Sequence, residues 1–507
     1  MTPHRNASPT PRSTRRAVLT HGVAWNAISE GAQVALNIAA MLVLVRIIPP
    51  GEYGKATAAT SVLVFLSSFS ASGLLQHALQ LHEGEEPDWT LHWHAALVVQ
   101  GALFLAANAI AGLYWFLPAY RPAAPLLHAG SLGCLLNLPH LVAYQMLQRE
   151  LDFRRSRLGL ILSSLANTLT AVALGVAGFG AWAIVLGAQV MGLVPLSAYL
   201  LLVRRWRPAG PWVAWPDWRR HAPSLRFGGL QMAMAFLATL RGSLEAAVLP
   251  GTAGFAAIGL LGRATGLHAQ TVGRVTAVFK DTIAPLLPRS AGDPATYTRH
   301  ATMVVQATLL AAIPGAVAIG LLGPEFSRVL YGRKWISADP LIWPAALAAL
   351  GLGTFGIALF VVQAAGRLRA TLVLAVAEAV VAAPLSLVTT AGASIVEYTW
   401  LAAAGECAAA VVGCLVAARH LAAGWAWTIL APALTAAGAG AAAVLAVVPH
   451  TATWTEGARL AVHLPLYLVA AAIGLRLAFP AVLQSTVGRV RGGAVLLRWL
   501  ALRPVNG

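Results

Sequence analysis

The chain has 507 residues, 58% hydrophobic and 10% charged, with a mean hydropathy of +0.71 and a formal net charge of +17. Soluble chains carry about 25% charged residues, and no single globular core absorbs this much apolar sequence, so the class is a polytopic membrane protein. The excess of Lys and Arg does not point to a nucleic-acid partner, because these residues cluster in short segments between apolar runs, as the positive-inside rule requires.

Residues 1–17 form a basic tail rich in Pro, Ser and Thr, of disordered composition. The "STRRAVL" run echoes a twin-arginine signal, but the apolar stretch after it is long and lacks a small-residue cleavage site, which makes it a retained first helix. Asn6 heads a glycosylation sequon that is meaningless on the expected cytoplasmic side. About fourteen apolar runs are long enough to span a bilayer, and lipid admits them only as helices. Six lie near residues 20–46, 56–81, 94–118, 124–147, 158–178 and 183–203, an N-lobe over 18–203. A basic, Trp-rich linker covers 204–226, with Trp206, Trp212, Trp215 and Trp218 placed as interfacial anchors. Six more runs, near 227–249, 254–279, 301–323, 339–363, 370–391 and 397–418, form a C-lobe over 227–420. Two extra helices lie near 425–448 and 458–479, within 421–480, and a basic tail over 481–507 reads as a surface segment.

One side of this arrangement collects about 24 Lys and Arg residues against about seven on the other, which places both termini in the cytoplasm. The inner loop "HEGEEPDW" is acidic, but acidic residues weigh little in that rule. His92 and His94, beside that loop, are expected to face water. No loop is long enough for a folded domain, so the work is done within the membrane.

Pro50-Gly51 and Gly54 follow helix 1, and Pro250-Gly251 and Gly254 follow helix 7. Six helices separate the two copies, so they face the same side and mark a parallel repeat of two six-helix lobes. The helices beside these turns carry polar stripes. Asn26, Glu30, Gln33 and Asn37 share one face of helix 1, and Ser61, Ser68, Ser72 and Gln76 one face of helix 2. Helix 7 carries Gln231, Arg241 and Glu245, and helix 8 carries Arg263, Gln270 and Arg274. An Arg at the bilayer centre costs about 2.5–3.5 kcal/mol on insertion scales. Arg241 and Arg263 lie about 12–14 Å in from the turn at 1.5 Å per residue, and two guanidiniums at one depth suit a phosphate. Arg241 also stands four residues before Glu245 and could be neutralised by it, Arg274 could snorkel to the inner surface, and Arg263 has no partner nearby in sequence. Glu30 is a candidate coupling-ion residue. Glu378, Glu397 and Glu406 fall in or near helices 11 and 12. Cys134, Cys407 and Cys414 have neither metal-ligand nor disulfide spacing, and no cofactor or metal is implied.

Four stretches carry a family likeness. "VRIIPPGEYGKATAATSVLVF", "QRELDFRRSRL", "GFGAWAIVLG" and "LYGRKWISADPL" stand in the order found in bacterial polysaccharide and O-antigen transporters, which this chain resembles. That family belongs to the multidrug/oligosaccharidyl-lipid/polysaccharide exporter superfamily. The resemblance implies two lobes around a central cavity, usually with helices 13 and 14 added. It also implies flipping of an undecaprenyl-diphosphate-linked oligosaccharide across the bacterial inner membrane for surface polysaccharides, lipopolysaccharide among them. Glycosyltransferases, a polymerase and membrane lipids are the implied partners. Related lipid-linked flippases line the cavity with cations on helices 1, 2, 7 and 8. Here helices 7 and 8 keep arginines, helix 1 has Glu30 instead, and helix 2 has no charge. A cation-coupled multidrug exporter of the same superfamily is the first alternative, with Glu30 as the ion site. A membrane-embedded polymerase or glycosyltransferase is the second, and an enzyme of that kind would show a large outer loop or an acidic catalytic motif, neither of which is present.

Overall fold

Apolar runs punctuated by Pro, Gly and charge become helices in a computed structural model of the chain, which describes residues 12–81, 85–190, 210–276, 286–290 and 292–487 and contains no strand among them. The sequon, the far end of helix 6, Arg204 to Arg207 with Trp206, and the C-terminal tail from residue 488 lie outside the described residues. The helices fall into two compact units, Met1–Gly251 and Thr252–Gly507.

The first unit runs α1 (Arg12–Ile47), α2 (Pro50–Ser67), α3 (Ser72–Gln80), α4 (Trp89–Phe116), α5 (Ala124–Leu136), α6 (Leu138–Arg149), α7 (Phe153–Val176), α8 (Ala181–Val190) and α9 (Ala222–Thr252). α1 packs on α7, α4 and α2 on α5, and α3 on α6. The expected second span is broken: α2 and α3 meet at 43°. At the break Ser68, Phe69 and Ser70 bond back to the third residue before them, the tighter 3₁₀ pattern. Pro139 similarly divides α5 from α6 within one span.

The second unit runs α10 (Gly254–Gln270), α11 (Pro294–Tyr331), α12 (Asp339–Ala364), α13 (Leu368–Ala382), α14 (Ile395–Ala417), α15 (Trp425–Val447), α16 (Glu456–Ala478) and α17 (Pro480–Val487). Glycines set its tightest contacts, in place of the hydrophobic drive that lipid removes. A Cβ on Gly351 of α12 would lie 2.6 Å from the Glu406 backbone of α14, and one on Gly320 would enter the Trp343 ring. The Tyr467 ring of α16 lies on Gly440 of α15.

Among the described residues ten helices are long and apolar enough to cross a membrane, or eleven if the bent α2–α3 pair is one span. Three of the expected runs are not in that number. Helix 6 is described only as α8, α10 has 17 residues, and α13 gives way to a 3₁₀ stretch over Ala383–Ala391 that contains Pro384.

The two Pro-Gly turns differ in detail. Pro50 opens α2, and Gly54 is a buried helical residue there. Pro250 lies in the last turn of α9, and Gly254 has φ +80° at the start of α10, the left-handed region glycine tolerates. The motif thus sits after the corner in one copy and astride it in the other.

Candidate functional site

The α1 stripe is graded around the helix. Ser29 is buried, and the Gln33 amide donates to its hydroxyl at 3.0 Å and to its carbonyl at 3.3 Å. Asn26 is half-buried, and its Oδ1 is enclosed with no hydrogen bond. Glu30 and Asn37, rotated away from the Ser29 edge, are exposed. The stripe is therefore a buried hydroxyl–amide edge beside an open acid–amide edge.

α9 belongs to the first unit, so the packing division at Gly251 falls one helix after the expected lobe boundary. Ser68 and Thr239 hydroxyls meet at 2.8 Å, and Phe236 lies 5.5 and 5.6 Å from the Phe65 and Phe69 rings. The Tyr120 hydroxyl donates to the Ala247 carbonyl, and a Cβ on Gly251 would meet that hydroxyl at 2.8 Å. On this helix the Arg241 Nε donates to the Glu245 carboxylate at 3.0 Å, and each side chain is 21% exposed. The two residues form the helical i, i+4 pair. The Gln231 side chain lies outside what is described.

In the second unit Arg263 is half-buried on α10, between the buried Leu261, Ala264 and Leu267. Gln270 is half-buried at the end of α10, with its Oε1 enclosed and making no hydrogen bond. The helix breaks at Thr271, and Arg274 beyond it is exposed. Glu406 is buried on α14, and Glu397 is the N3 carboxylate of a capping box with Ser394. Glu378 lies on α13. Cys134, Cys407 and Cys414 are free thiols, all half-buried. Among the described residues no cluster of three or more His, Cys, Asp or Glu could hold a metal.

His92 and His94 do not face water. Both are buried with Trp93 on the first turns of α4, and all three donate to carbonyls. His92 bonds to Asp88 O at 2.8 Å, Trp93 to Trp212 O at 2.8 Å and His94 to Pro211 O at 2.9 Å. His221 returns the tie to Leu91 O at 3.0 Å, and His77 meets Ser224 at 3.1 Å. The linker after residue 210 is thereby fastened to α4 and α3, while Val213 and Trp215 stay exposed. A His-Trp-His run reads as amphipathic only if its partner is water; the backbone of a segment about 120 residues later replaces it.

The four stretches with a family likeness are joints. Glu52 accepts from the Ala181 amide at 3.3 Å and so caps α8, next to Gly178 and Gly180, both with positive φ. Arg149 donates to the carbonyls of Ala78 (2.6 Å), Leu81 and Glu85, closing the end of α3. Gly332 turns with φ +89° between the fully buried Tyr331 and Trp335. Arg328 clamps Asp339 across that turn at 2.6 Å.

Residues 43–340 match the family described as "Polysaccharide biosynthesis protein". The chain is 32% identical over 203 residues to the succinoglycan biosynthesis transport protein ExoT of Rhizobium meliloti (strain 1021), an alignment covering 39% of this chain and 40% of that one. The likeness thus spans less than half the length of this relative. Among solved structures, lipid II flippase MurJ in an inward closed conformation superposes with a TM-score of 0.69 at 12% identity, covering 90% of this chain and 98% of that one. A multidrug resistance MATE family transporter in an inward-facing conformation gives 0.57 at 15% identity, covering 76% and 94%. At these identities the structural likeness is one of fold. Because the family match takes in more than half of the chain, the protein belongs to the polysaccharide biosynthesis protein family, and its described residues form an all-α fold like that of the MurJ and MATE structures.

Proposed function

We propose that the protein flips a lipid-linked oligosaccharide, carried on undecaprenyl diphosphate, from the cytoplasmic to the outer leaflet of a bacterial inner membrane by alternating access. The observation that carries this is Arg263: a half-buried arginine in the middle of the apolar helix α10 of a chain from the polysaccharide biosynthesis protein family. Placing it there is costly, and its planar fork matches a diphosphate oxygen pair. Gln270, with an enclosed amide oxygen, adds sugar- or water-binding capacity on the same helix. Arg241, Arg274, Gln231 and the α1 amides Asn26, Gln33 and Asn37 complete the substrate-binding set. The relative whose name includes succinoglycan transport and the flippase of like fold support the substrate class.

The lipid tail stays in the bilayer while the head group crosses. A negative interior assists outward movement of an anion by about 2.3 kcal/mol per charge per 100 mV, and Glu30 is available to couple a cation. Both termini are cytoplasmic in this reading. Glycosyltransferases build the substrate on one side and a polymerase consumes it on the other; the protein itself makes and breaks no bond. Arg263→Ala should abolish surface polysaccharide in a complemented deletion strain at wild-type protein level, and Arg263→Lys should restore part of it. Full export by the alanine variant would remove the anion-site claim.

A further inference from the structure

A largely buried ionic cluster of the second unit uses no residue of that reading. Glu325 on α11 is 6% exposed and His463 on α16 is fully enclosed. The His463 Nδ1 stands 3.2 Å from Glu325 Oε2, and Arg459, one turn earlier on α16, meets Glu325 Oε1 at 2.7 Å. On its other side the His463 Nε2 stands 2.9 Å from the Thr451 hydroxyl. Thr451 is also buried and ends the short 3₁₀ turn Val448–Thr451 after α15. Arg328 of α11 continues the network to Asp339 of α12 at 2.6 Å and Glu456 of α16 at 2.9 Å. One turn deeper, Tyr467 donates to the Pro314 carbonyl at 2.7 Å.

We infer that His463, between Glu325 and Thr451, is a proton-binding site. The hydrogen bonds serve the ring in both charge states. Nδ1 faces a carboxylate and so carries a hydrogen in either state. Nε2 faces a hydroxyl that can act in two directions. When Nε2 is protonated, the Thr451 oxygen accepts from it and turns its own hydrogen to the Val447 or Val448 carbonyl, at 3.3 and 3.2 Å. When Nε2 is bare, the hydroxyl donates to it. Gain or loss of one proton therefore leaves no buried polar atom of the triad unpaired. A purely structural tie would need only one of these states.

The charge count agrees. Carboxylates at Glu325, Asp339 and Glu456 face guanidiniums at Arg328 and Arg459, three acids to two bases among these five residues, and His463 is a group able to supply and withdraw a further positive charge. Exposed His450 precedes Thr451, so the exchanging proton has solvent one residue away. Occupancy of the site sets how firmly α16 and the 448–451 turn are held to α11. In the expected orientation this end of the bundle faces outward, giving the two added helices a proton-responsive tie to the rest of their unit.

The test is ¹⁵N-histidine NMR of the full chain in lipid nanodiscs, with His463→Gln identifying the signal by its loss. Both the doubly protonated and the Nδ1–H forms of the wild-type signal should be seen over the pH range in which the chain stays folded. Glu325→Gln should displace the balance between the two forms. Thr451→Val, which keeps size and removes the hydroxyl, should change the tautomer balance of the neutral form, and it identifies the signal if the glutamine variant does not fold. A His463 signal fixed in one charge state across that range, or a balance indifferent to Glu325→Gln, would overturn the assignment.

Discussion

Glu245→Gln removes the carboxylate 3.0 Å from the Arg241 Nε and takes this ion pair from a guanidinium that is 21% exposed. At that separation the gross attraction is about 5 kcal/mol at an effective dielectric of about 20. Desolvation cancels much of it. Exposed pairs net about 0.2–1 kcal/mol and a broken buried pair costs about 3–5 kcal/mol, so this half-buried pair should lie near 1–3 kcal/mol. Each single variant, Arg241→Gln or Glu245→Gln, should lose that much stability in reversible detergent unfolding. The double variant should lose less than the sum by about 1 kcal/mol or more. Additive losses, within about 0.5 kcal/mol, would refute the pair as an energetic unit. Export measured on the same variants separates neutralisation from substrate binding. If Arg241 also serves the diphosphate, Glu245→Gln keeps export and the double variant folds but does not export. A double variant exporting at the wild-type rate would leave Arg241 a partner to Glu245 and nothing more.

Three further outcomes follow from packing, tethering and capping. Gly351→Leu should separate α12 from α14, because the blocking atoms are the Glu406 and Cys407 backbone, which cannot move aside, whereas Gly353→Leu has open space; monodisperse yield and melting temperature should fall only for the first. Trp93→Phe and His94→Phe each delete a donor to the linker backbone, worth about 1 kcal/mol, so trypsin cleavage at Arg219 and Arg220 should accelerate about fivefold per bond, and an unchanged rate would refute the latch. Asp293 caps α11 from outside the membrane, and hydrogen bonds from Thr296 and Ala295 hold its carboxyl below the usual range. Its contribution is complete above the unfolded carboxyl value and is lost as pH falls through the lowered one, so ¹³C-carboxyl titration should find its midpoint under about 3.9, and Thr296→Val should raise it.

Much of the helical layout was legible because lipid enforces it. Runs of about 20 apolar residues have no alternative to helix in a bilayer, and the runs expected near 94–118, 301–323 and 458–479 correspond to the helices Trp89–Phe116, Pro294–Tyr331 and Glu456–Ala478. What hydropathy does not register is backbone detail. Ser68 to Ser70 and Pro139 break spans without changing their mean apolarity, because hydroxyls and a single Pro alter hydrogen bonding more than hydropathy. Nor does it register which neighbour a helix chooses. Six-helix symmetry assigns α9 to the C-lobe, yet the Ser68–Thr239 bond and the Phe65–Phe69–Phe236 cluster seat it on α2.

The polar residues show the same limit from the other side. Periodicity places Asn26, Glu30, Gln33 and Asn37 within one arc of α1, but an arc about 60° wide at 100° per residue can straddle a packing boundary, and here Gln33 falls on the buried edge and Glu30 on the exposed one. Spacing did identify Arg241 and Glu245 as neighbours, because an i, i+4 contact needs no tertiary information. The Glu325–His463–Thr451 site gives no such signal. Glu325 and His463 are 138 residues apart, Thr451 and His463 are 12, and each alone resembles an ordinary interfacial residue near a helix end. Only the packing of α16 on α11 turns three unremarkable positions into a closed carboxylate–imidazole–hydroxyl line, and a line able to accommodate one proton more or less is a property of that packing.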